Sequence, residues 1–254
     1  ADSRQVYRGL DIGTGKITKS EMAGIPHHLI DCVSPKRQFT VTDYVKRAHA
    51  TIRDIIKRGK LPIVAGGTAF YIDTLLGAIH PAPVPPNLEL RKKLEKEPTD
   101  ILFQQLEKFD LAHAEKIDAK NRHRLIRAIE ITHALGKVPV PQKNTLYGAL
   151  KIGVTLSPEK LKEKIKKRLA TRIKKGMTAE AEKLHDGGLP WTRMEALGLE
   201  YRFLARYLQK QITKREMISQ LETAIWHYAK RQMTWWKRDK EIRWYAPNER
   251  ESTQ

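Results

Sequence analysis

Cysteine is almost absent: Cys32 is the single one among 254 residues. An internal disulfide framework and a cysteine-rich zinc site are thereby excluded, and a reducing, cytoplasmic compartment is the expectation. Cys32 itself reads as a small buried residue rather than a nucleophile. No apolar run approaches the roughly 20 residues needed to cross a bilayer, and nothing resembles a signal peptide. Acidic residues are scarce beside their opposites, 29 Asp and Glu against 48 Lys and Arg, which leaves a net charge of +19. That excess goes beyond what solubility requires and points to a polyanionic partner. Nucleic acid ranks ahead of a membrane surface, because no strongly apolar, basic surface helix stands out. Internal repeats and low-complexity tracts are missing too. The first residue is Ala1 rather than methionine, so the sequence is expected to start inside a longer one.

What is present organises around Leu61-Pro62-Ile63-Val64-Ala65-Gly66-Gly67-Thr68-Ala69-Phe70-Tyr71. A short β-branched run breaks at two glycines and resumes with helical spacing through Tyr71, Ile72, Leu75 and Leu76. The pattern predicts a buried strand, a tight turn and a helix. Thr68 then stands at a helix start, where free N–H groups favour an anion, or it is an ordinary N-cap. Upstream, 28–33 reads as a strand. Thr40 and Asp43 open a helix with Tyr44, Val45, Ala48, Ile52, Ile55 and Ile56 on one stripe, ending at Gly59. Strand, helix and strand with short connections form a βαβ unit, which implies a parallel sheet with its ligand loops on one edge. His27 and His28 are adjacent, hence on opposite faces of an extended segment, and do not make a metal site.

Four prolines in 81–86 mark a stiff connector and a change of domain. From Asn87 to Gly136 the spacing is wholly helical, and its last helix carries Arg122, His123, Arg124 and Arg127 at its start. The segment 139–148 reads as loop. Lys151–Leu156 reads as a strand returning to the first domain, followed by a helix capped at Ser157 and stopped at Gly176. That helix is studded with cations, Arg168 and Arg172 among them. Short helices over 178–185 and 194–208 precede a long one capped by Thr213 and Glu216. In it, 228–238 alternates cations with aromatics, a mixture suited to phosphate contact and base stacking or to a core plug with solvated charges. The tail after Pro247 reads as disordered.

Four segments occur together in one order: residues 1–16 (ADSRQVYRGLDIGTGK), 66–71 (GGTAFY), 122–130 (RHRLIRAIE) and 228–235 (YAKRQMTW). In combination they closely resemble the tRNA dimethylallyltransferases, over nearly the whole sequence. The resemblance implies an α/β fold with a P-loop-NTPase-like parallel-sheet core in 1–80 and 148–254. A helical insertion in 81–147 would close over tRNA. It implies transfer of a dimethylallyl group from its diphosphate to N6 of the adenine 3′ to the anticodon, with Mg²⁺ as cofactor, in a cytoplasmic monomer with no membrane association. Asp2 matches the family's general base, and Ser3, Arg4 and Gln5 match the rest of the segment that holds the flipped adenine. Gly66, Gly67 and Thr68 match the turn near the departing diphosphate, and Arg168 matches the diphosphate-binding arginine. Arg91, His123, Arg124, Leu125, Ile126, Arg127, Lys230, Arg231, Gln232 and Trp235 match tRNA-facing positions, as does 195–202.

Three departures are visible. The methionine usual four residues after the diphosphate-binding arginine is Arg172, and the usual Gly-Tyr is Gly198-Leu199. The family's Gly-rich phosphate loop is expected upstream of Ala1, and Gly13-Thr14-Gly15-Lys16 lacks the spacing to replace it. Two other readings stay open: a P-loop kinase of a nucleoside or small metabolite, and a catalytically incomplete tRNA-binding fragment.

Overall fold

The computed structural model describes residues 1–140 and 145–247. It divides into two units, Ala1–Leu76 with Thr145–Gln254, and Gly77–Asn144. Part of the loop expected over 139–148, and the tail expected after Pro247, lie outside the described residues.

In the larger unit, local sequence dictates most helix limits. Thr40 and Asp43 close a reciprocal capping box, so α1 runs Val41–Lys57 with Tyr44, Ala48 and Ile52 buried. The short helix α2, Ala69–Leu75, buries Tyr71 and Leu75, and Tyr71 stacks on Tyr44 with ring centroids 4.4 Å apart. The smaller unit builds a separate core from α3 (Leu88–Leu94), α4 (Thr99–Phe109), α5 (Leu111–Ala114) and α6 (Arg122–Leu135). Leu94, Leu102, Leu106, Leu125, Ile126 and Ile129 fill it.

Back in the larger unit, β1 is Ile152–Val154. Ser157 caps α7 (Pro158–Lys174), and Gly176 precedes α8 (Met177–Asp186). The helix expected over 194–208 is two, α9 (Trp191–Leu197) and α10 (Leu199–Leu208), parted at Gly198, where φ is 77°. A second capping box at Thr213 and Glu216 starts α11 (Lys214–Trp236), and β2 is Arg243–Tyr245. Leu169, Met177, Met194, Leu197, Tyr201, Leu204, Met217 and Leu221 share one core with Val6, Tyr7, Leu10 and the α1–α2 residues.

The sheet is much smaller than the α/β reading expects. Among the described residues it is two strands, β1 and β2, paired in parallel. The expected strand over 28–33 shrinks to one parallel bridge between Tyr7 and Val33, because Leu29 (φ 60°) and Asp31 (φ 52°) turn the backbone out of the extended region. The expected buried strand at 61–64 makes no ladder, and its side chains face outward: Leu61 is 84% and Ile63 82% exposed. No helix of the described residues is long and apolar enough to cross a membrane.

Candidate active site

Asp2 heads a tight turn. Its Oδ1 accepts the N–H groups of Arg4 at 2.7 Å and Gln5 at 3.0 Å, the side-chain-to-backbone closure that aspartate favours in turns. Its Oδ2 makes no hydrogen bond to any described residue. One carboxylate oxygen is therefore spent on fixing the side chain, and the other keeps its lone pairs.

Thr68 precedes α2, but its hydroxyl does not cap that helix. Oγ1 instead accepts the N–H of Ser3 at 3.1 Å, which ties the Asp2 turn to the Gly66-Gly67-Thr68 turn. From α11, Gln232 donates Nε2–H to the Gly67 carbonyl at 2.7 Å. A Cβ on Gly67 would lie 2.1 Å from that nitrogen, so a larger residue there would displace the Gln232 amide. The Tyr228 hydroxyl lies against Thr68. Burial first, and then the Asp2 charge, push it above the usual phenol value, so it remains a neutral donor.

The 13–15 loop carries a charged pair. Arg172 Nη1 donates to the Gly13 carbonyl at 3.2 Å and pairs with Glu200 Oε1 at 3.3 Å, with only 15% and 13% of the two side chains exposed. Gly15 (φ 60°) leaves room for this guanidinium, since a Cβ there would sit 1.8 Å from Arg172 Nη2. Burial raises the Glu200 carboxyl against the opposing pull of Arg172 and Arg168. Burial likewise lowers the Arg172 guanidinium, and the Arg168 charge adds to that effect. Arg168, one helical turn before Arg172, is exposed and forms no hydrogen bond or ion pair among the described residues.

The 11–13 loop is held from beneath. Glu180 accepts the N–H groups of Asp11 (2.9 Å) and Ile12 (2.7 Å) on Oε2, and those of Gly13 (2.9 Å) and the Tyr201 hydroxyl (2.6 Å) on Oε1. Lys16 donates to the Tyr7 carbonyl at 2.8 Å and to Asp11 Oδ1 at 2.6 Å, and it pairs with Asp31. Its ammonium is thus engaged within the protein.

Asp2, Ser3, Thr68, Gly66, Gly67, Gln232 and Tyr228 therefore meet at one locus. Arg168 lies on α7 one helical turn before Arg172 and makes no hydrogen bond to these residues. The remaining expected residues are engaged within the protein to different extents. Leu125 and Ile126 are core residues of the helical unit, because helical spacing turns them inward. Arg91 is spent on Glu130, Nε to Oε1 at 3.0 Å and Nη2 to Oε2 at 2.8 Å. Arg127 pairs with the same carboxylate and donates to the Val84 carbonyl at 2.7 Å. Trp235 donates its indole N–H to Asp73 at 2.7 Å, which fastens α11 to α2. His123, Arg124, Lys230 and Arg231 are exposed as a phosphate-facing role requires. The grooves lined by Lys214, Ile218 and Glu222 and by Thr99, Phe103 and Lys120 contain none of these residues.

Glu180 was not singled out in the sequence, and Glu200 and Tyr201 within 195–202, like Tyr228 within 228–235, carried no individual role there. Arg172 was visible as one cation among many on its helix and as a departure from a family pattern. Among the described residues no group of three His, Cys, Asp or Glu side chains could hold a metal ion.

A carboxylate with one free oxygen beside a hydroxyl-bearing turn, and an exposed arginine on α7, in a protein of charge +19, are groups of the kind that transfer from an anionic donor uses. The family model described as IPP transferase matches residues 5–239, and the chain belongs to that family. It is 43% identical over 244 residues to tRNA dimethylallyltransferase 2 of Treponema denticola, covering 94% of this chain and 82% of that protein. It is 38% identical over 250 residues to the tRNA dimethylallyltransferase of Anoxybacillus flavithermus, with 96% and 80% covered. Among solved structures, the tRNA isopentenylpyrophosphate transferase of Bacillus halodurans matches with a TM-score of 0.71 at 33% identity, over 96% of this chain and 79% of that one.

Proposed function

We propose that this protein transfers a dimethylallyl group from dimethylallyl diphosphate to N6 of the adenine 3′ to the anticodon in tRNA. The observation that carries the reading is Asp2: Oδ1 is locked by two backbone N–H groups while Oδ2 is free, beside Thr68. An exocyclic amine is a poor nucleophile, so a positioned carboxylate that takes its proton as the new bond forms lowers the barrier. In the balanced step, N6 bonds to C1 of the allyl group and the C1–O bond breaks. The bonding pair leaves with the diphosphate, and the N6 proton passes to Asp2 Oδ2. The allylic carbon tolerates positive charge, so the remaining cost lies in the leaving diphosphate, which Arg168 and the Thr68 turn would bind. The adenine must leave its stack first, at about a few kcal/mol, offset by backbone contacts to exposed cations such as Arg124, Lys230 and Arg231.

Our reading includes a P-loop-NTPase-like α/β core and a cytoplasmic monomer. Mg²⁺ is proposed to arrive on the diphosphate oxygens. The described residues offer no metal-binding cluster, so no step is assigned to the ion. The test is incubation of the protein with unmodified tRNA and dimethylallyl diphosphate, followed by nucleoside mass spectrometry. N6-isopentenyladenosine is expected. A phosphorylated small molecule formed from ATP, with tRNA unchanged, would favour the kinase reading.

A further inference from the structure

From α11 the site receives one side chain that no step of the transfer uses. Gln232 is half-buried, while its neighbours Lys230 and Arg231 are exposed. Its amide is directed inward, with Nε2 donating to the Gly67 carbonyl at 2.7 Å. Less than one turn further along the helix, Trp235 fastens α11 to Asp73 of α2, so the donor sits on an anchored segment.

The peptide group that accepts this bond is also the one that reaches the Asp2 turn. Its carbonyl belongs to Gly67 and its N–H to Thr68, and that N–H donates to the Ala1 carbonyl at 3.3 Å. The Thr68 hydroxyl accepts the Ser3 N–H at 3.1 Å. Thr68 thus holds the peptide before Asp2 with its main chain and the peptide after Asp2 with its side chain. The two turns approach closely: Gly66 has a φ of 147°, and a Cβ there would lie 2.2 Å from the Ala1 carbonyl oxygen.

We propose that Gln232 is a positioning residue for Asp2, acting through the Gly67–Thr68 peptide. The proposal rests on the reading of Asp2 as the base. A trans peptide is planar, so a donor that fixes its oxygen also fixes the line of its N–H. A hydrogen bond to the carbonyl further polarises the peptide and strengthens the bond its N–H makes. The bond to Ala1 is the longest of the three and depends most on that support. Without Gln232 the peptide is released to turn, and Asp2 keeps only its own side-chain closure and the Ser3 amide. A catalytic group displaced by about 1 Å loses up to about a hundredfold in rate.

The test is kcat and the KM for tRNA in three variants assayed with tRNA and dimethylallyl diphosphate. Gln232→Met keeps the length of the side chain without the donor. Its kcat is expected to fall at least about tenfold, with the KM within about twofold of the parent. Gln232→Glu keeps the size but sets an oxygen against the Gly67 carbonyl oxygen, and its kcat is expected to fall at least as far. Gly67→Ala leaves residue 232 intact and displaces its amide with a methyl built 2.1 Å from Nε2, so it should reproduce the loss. G67A decides by itself if the variants at 232 fail to fold. A raised KM with parental kcat would place Gln232 on tRNA, and a folded Q232E with parental kcat would mean that the side chain only fills space. Either result overturns the proposal. Asp2→Asn assayed alongside separates the two readings. An active D2N removes the base and this role with it, whereas an inactive D2N beside a fully active Q232M removes only the role of Gln232.

Discussion

Tyr201 donates its hydroxyl to Glu180 at 2.6 Å, and that same carboxylate gathers the backbone N–H groups of three consecutive residues, Asp11 to Gly13. A single side chain from α8 thereby fixes the loop above which Arg172 lies. The ring of Tyr201 also fills the space a Cβ at Gly13 would need, 2.7 Å from its Cζ.

Replacing Glu180 with Gln turns one acceptor oxygen into an NH₂ group facing donors. The loss is expected to be about 2 kcal/mol, the cost of stranding partly buried donors. Tyr201→Phe removes one donor and leaves the carboxylate with three, so it should cost only about 1 kcal/mol. Urea unfolding of both variants checks the order; equal losses would mean the N–H cluster contributes nothing.

Gly15→Ala is expected to act on Arg172. Its positive φ alone costs about 1 kcal/mol for an alanine, and the added methyl would overlap the guanidinium at 1.8 Å. The activity of G15A should therefore fall with that of Arg172 variants, and G15A combined with Arg172→Met should be no worse than R172M alone. Multiplicative losses in kcat would contradict this coupling.

The helical unit has its own electrostatic pin. Burial alone would raise the Glu130 carboxyl, but Arg91, Arg127 and the Asn87 N–H outweigh it and hold it below the ordinary carboxylate value. The stability it supplies is complete above the unfolded carboxylate range and is lost as pH falls through the lowered folded value. Glu130→Gln should destabilise this unit by about 3 kcal/mol at pH 7, the lower end for a broken buried pair because Arg91 and Arg127 can still reach water. Thermal melts of parent and E130Q should converge as the pH is taken down toward 3. A gap that stays constant would mean the charge on Glu130 is irrelevant.

Much of this was legible in the sequence because it is local. The capping boxes at Thr40–Asp43 and Thr213–Glu216, and the cap at Ser157, start their helices where residue type alone places them. The strands were not legible, since an apolar run such as 61–64 states a preference for pairing but not whether a partner lies alongside. Leu61 and Ile63 accordingly sit exposed where burial was expected. Charge alone could not show that Arg127, and Arg91 beside it, reach Glu130, because a cation on a helix reads the same whether it faces phosphate or a buried acid. Glu180 left no mark at all: its partners are mainly main-chain N–H groups far away in sequence, which any residue types could supply. Asp2, Thr68 and Gln232 were expected through the order of four segments, and the structure adds that the Asp2 turn and Thr68 are joined through the Ser3 amide.

The most direct test of the account is the single-turnover rate of Asp2→Asn with saturating dimethylallyl diphosphate, measured beside its tRNA affinity. Asn keeps the oxygen that caps the Arg4 and Gln5 N–H groups but cannot take the adenine proton. The rate is expected to fall by about 10²–10⁴ with tRNA affinity within about twofold of the parent. A variant that turns over at close to the parental rate would contradict the claim that this carboxylate accepts the proton.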